Sequence, residues 1–406
     1  MKDITAYNHL ITYSIIFFFL NSFLLPHGLL YTTFLTPVMI YYLYKKDKLK
    51  YPIFGLLIIL IPMPFQIYGG VDLTSYLLSN IIIFTVVIFM ITTFFLGKAN
   101  IGVFDRIFRK ALLINSILVI VALIIVPFSS IRGILWYDEI LTAGVEVIPR
   151  LKLFTYEASY YSMIMMPIFL YFLLRVLYGI EQHSMLILIA VVVPIFLSLS
   201  FGVMGALLIS FLFVTIVLWS KVPNSMKQFV ILGGSALTLL LFALLFIWPD
   251  NPVYFRIENI IDGKDTSAMG RLFYSFMFAK DLILNSSILF GIGAGQVKIV
   301  AHDMIVNHYQ YHGQITEIVR IPNSMAEILA VYGIYGFALK LVLEIYLFMK
   351  FKVYNNTYSL VLFTFIFIYQ FTGSYITNSA EVAIWAFVFT LKFDEFKLTS
   401  PDLLSN

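Results

Sequence analysis

Cysteine is absent from the 406 residues, which excludes disulfides, thiolate metal sites, iron–sulfur clusters and cysteine nucleophiles. Charge is nearly as scarce. Asp, Glu, Lys and Arg make up 12% of the chain, about half their share in a soluble domain, whereas 61% is apolar and the mean hydropathy is +0.94. No soluble globule has interior enough to hide that much apolar surface. The same content excludes disordered, collagen-like and coiled-coil chains. The solvent for this chain is lipid.

A bilayer core of about 30 Å takes about 20 helical residues per crossing. Twelve apolar stretches fit, approximately 8–25, 28–44, 51–69, 76–96, 111–128, 158–178, 185–199, 204–219, 228–248, 325–349, 357–374 and 379–392. The expected fold is an all-α polytopic membrane protein, one integral-membrane domain over 1–406. The first stretch reads as a span and not a cleaved signal, because no small-residue cleavage site follows Leu25. Most connections are short; 129–157 and 249–324 are the exceptions, long loops expected to carry short or interfacial helices and the function.

With twelve crossings both termini share a side. Sixteen Lys and Arg residues fall on that side, including the run Lys45, Lys46, Lys48, Lys50, against nine on the other, and Lys340 lies inside a span. The positive-inside rule then makes both termini cytoplasmic and the two long loops external. Five of eight arginines (Arg132, Arg150, Arg256, Arg271, Arg320) fall outside, while 13 of 18 lysines fall inside. A planar guanidinium fork grips phosphate or carboxylate oxygens in pairs, so this sorting suits an external anion; chance sorting in a small sample is the alternative.

The external loops hold several candidate motifs. Gly270–Asp281 places Leu272, Phe273, Phe276 and Ala279 at helical spacing, flanked by Arg271 and Lys280, as an amphipathic helix in the membrane interface would. Gly291-Ile292-Gly293-Ala294-Gly295 lacks the βαβ setting of a dinucleotide loop and instead suits a tight turn or a close backbone approach. His308-Tyr309-Gln310-Tyr311-His312 offers His308 or His312 as a general base and Tyr309 and Tyr311 as flat faces for sugar rings; solvated histidines and interfacial tyrosines fit equally. Ser324 and Glu327 read as a capping box opening a helix, whose N-terminus beside Arg320 would seat an anion. Deeper in that helix Gly333 and Gly336 would let a neighbouring helix pack closely. Arg150 and Glu157 stand at the start of the 158–178 span, and Lys340 with Glu344 reads as a structural ion pair.

The 270–336 stretch resembles the bacterial O-antigen and oligosaccharide repeat-unit polymerases (Wzy-type) and O-antigen ligases. The shared features are Arg271 followed some twenty residues on by the Gly291–Gly295 string, then Asn323 ahead of Gly333-Ile334-Tyr335-Gly336. Arg150 and Glu157-Ala158-Ser159-Tyr160 also look like that superfamily, although a proline is common at the Ala158 position. Ligases carry His before the Asn; here Pro322 stands there, which favours the polymerase branch and leaves no ligase-type histidine to carry over. An Arg-x10-Gly motif of some polymerase loops is not matched, since eleven residues separate Arg132 from Gly144.

The resemblance implies a glycosyltransferase that extends an undecaprenyl-diphosphate-linked oligosaccharide into O-antigen or a related surface polysaccharide outside the cytoplasmic membrane. Arg150, Arg271, Arg320 and Asn323 would hold the departing diphosphate, and His308, His312, Glu157 or Glu327 would take the acceptor hydroxyl's proton. No metal or cofactor is required, because arginines can carry the electrostatic role. Expected partners are the lipid-linked oligosaccharide, membrane lipids and a chain-length regulator; no nucleic acid is expected. An O-antigen ligase is one rival. A lipid-linked oligosaccharide flippase is another, disfavoured by the scarcity of ionisable residues within spans.

Overall fold

Helix Ile101–Ile125 carries apolar residues on both of its faces. Phe104, Ile107, Phe108, Ala111, Leu112, Val119 and Ala122 are buried at helical spacing. The opposite stripe of Leu113, Ile117, Ile120 and Ile124 is more than half exposed. Hydrocarbon, not water, tolerates such a stripe. Leu73–Ala99 repeats the pattern, with Leu77, Leu78 and Ile81 exposed and Tyr76, Ile83 and Ile88 buried. The chain is therefore an α-helical membrane protein.

The computed structural model describes residues 10–25, 29–99, 101–139, 148–247, 251–263, 265–309 and 319–398. Among them, five helices are long and apolar enough to cross a bilayer: Lys50–Tyr68, Leu73–Lys98, Ile101–Ile125, Ala158–Leu177 and Ser324–Lys350. Five more are apolar but shorter, Leu10–Leu20, Ser184–Leu197, Phe201–Val217, Thr357–Tyr369 and Ser379–Thr390. Helix occupies part of every one of the twelve expected ranges, but by length and composition five qualify as full crossings. The expected 28–44 span, for instance, is divided at Leu35 into Tyr31–Phe34 and Thr36–Lys45, with Pro37 opening the second piece.

Ala158–Leu177 forms the axis of the main core. Leu, Met and Phe fill all its sides, so it is buried all round, against Ser184–Leu197, Phe201–Val217, Thr357–Tyr369 and Ser379–Thr390. Its foot carries a network. Arg175 bonds Glu181, Glu395 Oε1 (2.7 Å) and Tyr171 Oη (2.9 Å), and Arg109 reaches Glu181 Oε1 at 3.0 Å. Both arginines belong to the set assigned to the cytoplasmic side in the charge census.

Ser324–Lys350 is two helices, not one. Gly333 has φ +63° and ψ −160°, outside any helix. Gln370 fixes the bend: its carbonyl accepts from Met325 N (3.2 Å) and its side-chain Nε2 donates to Glu344 Oε2 (2.9 Å). Along a straight helix Met325 and Glu344 would stand about 28 Å apart. One glutamine and one glutamate together span less than about 20 Å.

Segment 288–293 crosses the bend. Ile292 N and Gly293 N donate to Ala330 O and Val331 O, while Ile334 N and Tyr335 N donate to Ile288 O and Leu289 O. Gln66 Nε2 adds bonds to Phe290 O (2.6 Å) and Val331 O (2.9 Å), and Tyr76 Oη orients it through Gln66 Oε1 (2.7 Å). Backbone freed by the break is thus paired again, as irregular chain at membrane depth requires. The expected role of Gly333 and Gly336 is corrected accordingly: a Cβ on Gly336 would lie 2.3 Å from Tyr332 Cβ, on the first arm of its own bent helix. A Cβ on Gly333 would lie 2.5 Å from Leu289 C and O, and one on Gly291 would lie 2.5 Å from Ala330 O, so these glycines admit an extended chain and not a neighbouring helix.

Among their described residues, both stretches expected as long loops contain regular elements. Trp136–Glu139 and Ile148–Leu151 pair antiparallel, Trp136 opposite Leu151 and Tyr137 opposite Arg150, and Trp136 Nε1 anchors the hairpin on Ala122 O. The second stretch holds helices Pro252–Ile261, Ser275–Leu284 and His302–Tyr309. The expected amphipathic helix is divided by a π-turn at Gly270–Tyr274. Leu272 and Phe273 are exposed, whereas Phe278, Ala279 and Leu282 pack into a second core with Ala326, Ala330 and Val331.

Candidate active site

Four pieces of chain meet at the head of Ala158–Leu177 around a small open cleft with a cavity volume of about 20 Å³. The start of that helix supplies Tyr156, Glu157, Ser159, Tyr160 and Met163. The link between the last two helices supplies Tyr369, Ser374, Tyr375 and Asn378. Arg271 and Pro322 complete the lining.

Each side chain is held by a local device. Glu157 is the extended N-cap residue of its helix (φ −147°, ψ 146°), and its carboxylate accepts from Ser159 Oγ instead of capping. Tyr156 and Tyr160, one turn apart, stack at 4.7 Å and 30°. Tyr160 Oη is fixed by Asn21 Nδ2 (2.9 Å) and Ser379 Oγ (2.9 Å). Asn378 caps Ser379–Thr390, accepting from Ala380 N at 2.9 Å. Arg271 sits in the π-turn, and such turns collect at functional sites.

Electrostatically the pocket sets a guanidinium and a carboxylate among phenols. Burial pushes the Tyr156 phenol well above its ordinary value, and the nearby Tyr160 and Glu157 push it the same way. Burial also raises Tyr375, with Glu157 adding to the shift while Arg271 and Arg320 oppose it. Both phenols stay neutral at physiological pH and keep their protons for hydrogen bonds.

The expected site residues divide. Arg271 and Glu157 meet in the pocket. Arg320 lies with its guanidinium 5.4 Å over the Tyr375 ring, on the rim. Arg150 is outside the lining and donates from Nε to Ser198 O at 3.1 Å. His308 and Tyr309 pack in an aromatic cluster with Tyr274 and Phe278, away from the pocket lining. His312 and Tyr311 lie outside the described residues.

Asn323 and Glu327 change role. Asn323 is fully buried, and its Nδ2 donates to Arg271 O (2.8 Å) and Phe371 O (2.6 Å) while Oδ1 accepts from Ala326 N (2.9 Å). It caps the helix and clamps the Arg271 backbone, with no donor left for a phosphate. The capping box is displaced by one residue: Asn323, not Ser324, is the cap, and the Glu327 carboxylate accepts from Ile376 N (2.8 Å). The expected anion seat at this N-terminus is filled by protein. Ser324 N and Met325 N donate to Gly373 O and Gln370 O, and Ala326 N and Glu327 N to Asn323.

Sequence reasoning gave Tyr156, Tyr160, Ser159, Tyr375 and Asn378 no role. The signal for the first two was their one-turn spacing across a helix start, and for Asn378 the N-cap pattern Asn-Ser-Ala-Glu. The sequence matches no protein-family model and no curated protein.

Proposed function

We propose that the chain is a membrane glycosyltransferase that polymerises undecaprenyl-diphosphate-linked oligosaccharide repeat units, with the pocket as its reaction centre. The observation that carries this reading is the convergence of Arg271 and Glu157, distant in sequence, on one tyrosine-lined opening. Pro322, at the position where ligases of the resembling superfamily carry histidine, lines the same opening.

In this reading the Arg271 fork neutralises the diphosphate, with Arg320 as a second cation at the rim. Glu157 accepts the proton of the acceptor sugar's hydroxyl. The acceptor oxygen bonds to the anomeric carbon of the growing chain, the bond from that carbon to the phosphate oxygen breaks, and undecaprenyl diphosphate leaves with the electron pair. Tyr156, backed by the buried Tyr160, offers a flat apolar face to a sugar ring. By the charge census the pocket faces outward, both termini are cytoplasmic, and a chain-length regulator is the expected protein partner.

Purified protein incubated with lipid-diphosphate repeat units tests this on a gel. A ladder of products is expected, reduced about 10²–10³-fold by Arg271→Ala and about 10²–10⁴-fold by Glu157→Gln. Normal ladders from both variants overturn the site. Transfer to lipid A-core would make the protein a ligase. The broken helix at Gly333 favours a second reading, a flippase, since discontinuous helices line the substrate sites of many transporters. Leaflet exchange without new glycosidic bonds would select it.

A further inference from the structure

Beside the pocket, three helices bury a charge cluster that the glycosyl-transfer reading does not use. Lys340 and Glu344 stand on the second arm of the bent helix, Gln370 at the end of Thr357–Tyr369, and Glu381 on Ser379–Thr390. Lys340 Nζ lies 2.7 Å from Glu381 Oε1 and 3.9 Å from Glu344 Oε1, and Gln370 Nε2 donates to Glu344 Oε2 at 2.9 Å. The expected Lys340–Glu344 pair is thus the longer of two contacts. Glu344, Gln370 and Glu381 are 5%, 0% and 3% exposed.

Charge and hydrogen bonding fail to balance here in the same direction. Two carboxylates face one ammonium, and an uncompensated carboxylate in a low-dielectric interior is costly enough that such groups take up a proton instead. Three buried oxygens, Glu344 Oε1, Gln370 Oε1 and Glu381 Oε2, accept from no donor among the described residues. One added proton supplies the missing positive charge and, with it, a donor for one of the three.

We propose that Lys340, Glu344, Gln370 and Glu381 form a buried site for one exchangeable proton, held by the two carboxylates with Lys340 as the fixed counter-charge. The surroundings add little compensation. The first arm of the bent helix brings Glu327, whose carboxylate is occupied by Ile376 N, and Thr357–Tyr369 brings Tyr369. Leu73–Ala99, packed along Ser379–Thr390, has its one cation, Lys98, in its last turn, and Ala158–Leu177 contributes Tyr160 through Ser379. Asn378, whose Oδ1 accepts from Glu381 N at 3.4 Å, joins this site to the pocket wall.

Infrared spectroscopy of the detergent-purified full chain tests the site through the carbonyl stretch of protonated carboxyl groups, identified by its shift in D2O. At neutral pH the wild type is expected to show this band, and Glu344→Gln and Glu381→Gln each to lose one carboxyl equivalent of it, because the remaining carboxylate then pairs one-to-one with Lys340. Lys340→Met is expected to gain one equivalent. The opposite signs separate a proton site from general disruption, and any one variant that folds suffices. A wild-type spectrum without the band, or a folded variant whose band matches the wild type, overturns the proposal.

Discussion

Ala158–Leu177 and Ser324–Lys350 are alike in composition, with hydropathies of 1.6 and 1.8 over their most apolar stretches, and opposite in behaviour. The first carries Pro167 in its interior and stays helical; the second has no proline and breaks. Proline removes one N–H and crowds the preceding turn, at a cost of about 3 kcal/mol. Around Pro167 the helix is packed on every side, and that packing outweighs the cost. Glycine costs a helix only about 1 kcal/mol against alanine, too little to break one. Gly336, three residues on, remains helical. The break at Gly333 comes from outside the helix: a second glycine, Gly291, brings an extended chain that takes over the hydrogen bonds of four residues around the bend. Continuity of a buried helix is decided here by what competes for its backbone, and intrinsic propensity is the smaller term.

That comparison is broken most directly by exchanging the two residues for alanine. Gly333→Ala puts a side chain at positive φ with its Cβ 2.5 Å from the Leu289 carbonyl, and is expected to destabilise by more than about 3 kcal/mol, leaving little folded protein in detergent by size-exclusion chromatography. Pro167→Ala restores a helix donor while removing buried volume, and is expected to shift stability by under about 1.5 kcal/mol. Equal melting temperatures for the two variants would mean that the threaded segment does not hold the bend. Asn323→Asp comes next. It keeps the capping oxygen but loses both Nδ2 donors, leaving Arg271 O and Phe371 O facing a carboxylate, for an expected loss of about 2–4 kcal/mol. Because that bond holds the Arg271 backbone, the product ladder should fall with it. A variant that keeps both stability and ladder would remove Asn323 from the positioning of Arg271.

The same contrast marks how far the sequence could be read. The solvent and the helical class follow from hydropathy alone, because an apolar stripe facing lipid is written in composition. Ala158–Leu177 was legible because nothing outside it interrupts its ladder. Gly333 and Gly336 look identical in the sequence; only the pairing of Gly333 with Gly291 separates them, and that pairing is non-local. The cap moved by one residue for a similar reason: Ser324 and Glu327 fit a local box, but Glu327 finds Ile376 N in a distant link. Of the site, Arg271 and Glu157 could be singled out as charges beside membrane, whereas Tyr375 and Asn378 lie in a connection that carries no charge.

The smallest effect lies at the foot of the continuous helix, away from the pocket. Glu181 is held by Arg109 and Arg175; burial alone would lift its carboxyl, but the hydrogen bonds from the two guanidinium groups outweigh that and hold it below the ordinary carboxylate range. A carboxyl depressed on folding binds fewer protons in the native state, so its contribution is present above the unfolded value of about 4.3 and lost as pH falls through the lower folded one. Arg109 is 42% exposed, which limits the contribution to under about 1 kcal/mol. Thermal melts at falling pH should therefore decline more gently below about pH 4.5 for Glu181→Gln than for the wild type, from a slightly lower starting point at pH 7. Identical curves would show that this helix owes its continuity to apolar burial alone, without help from the ionic network at its end.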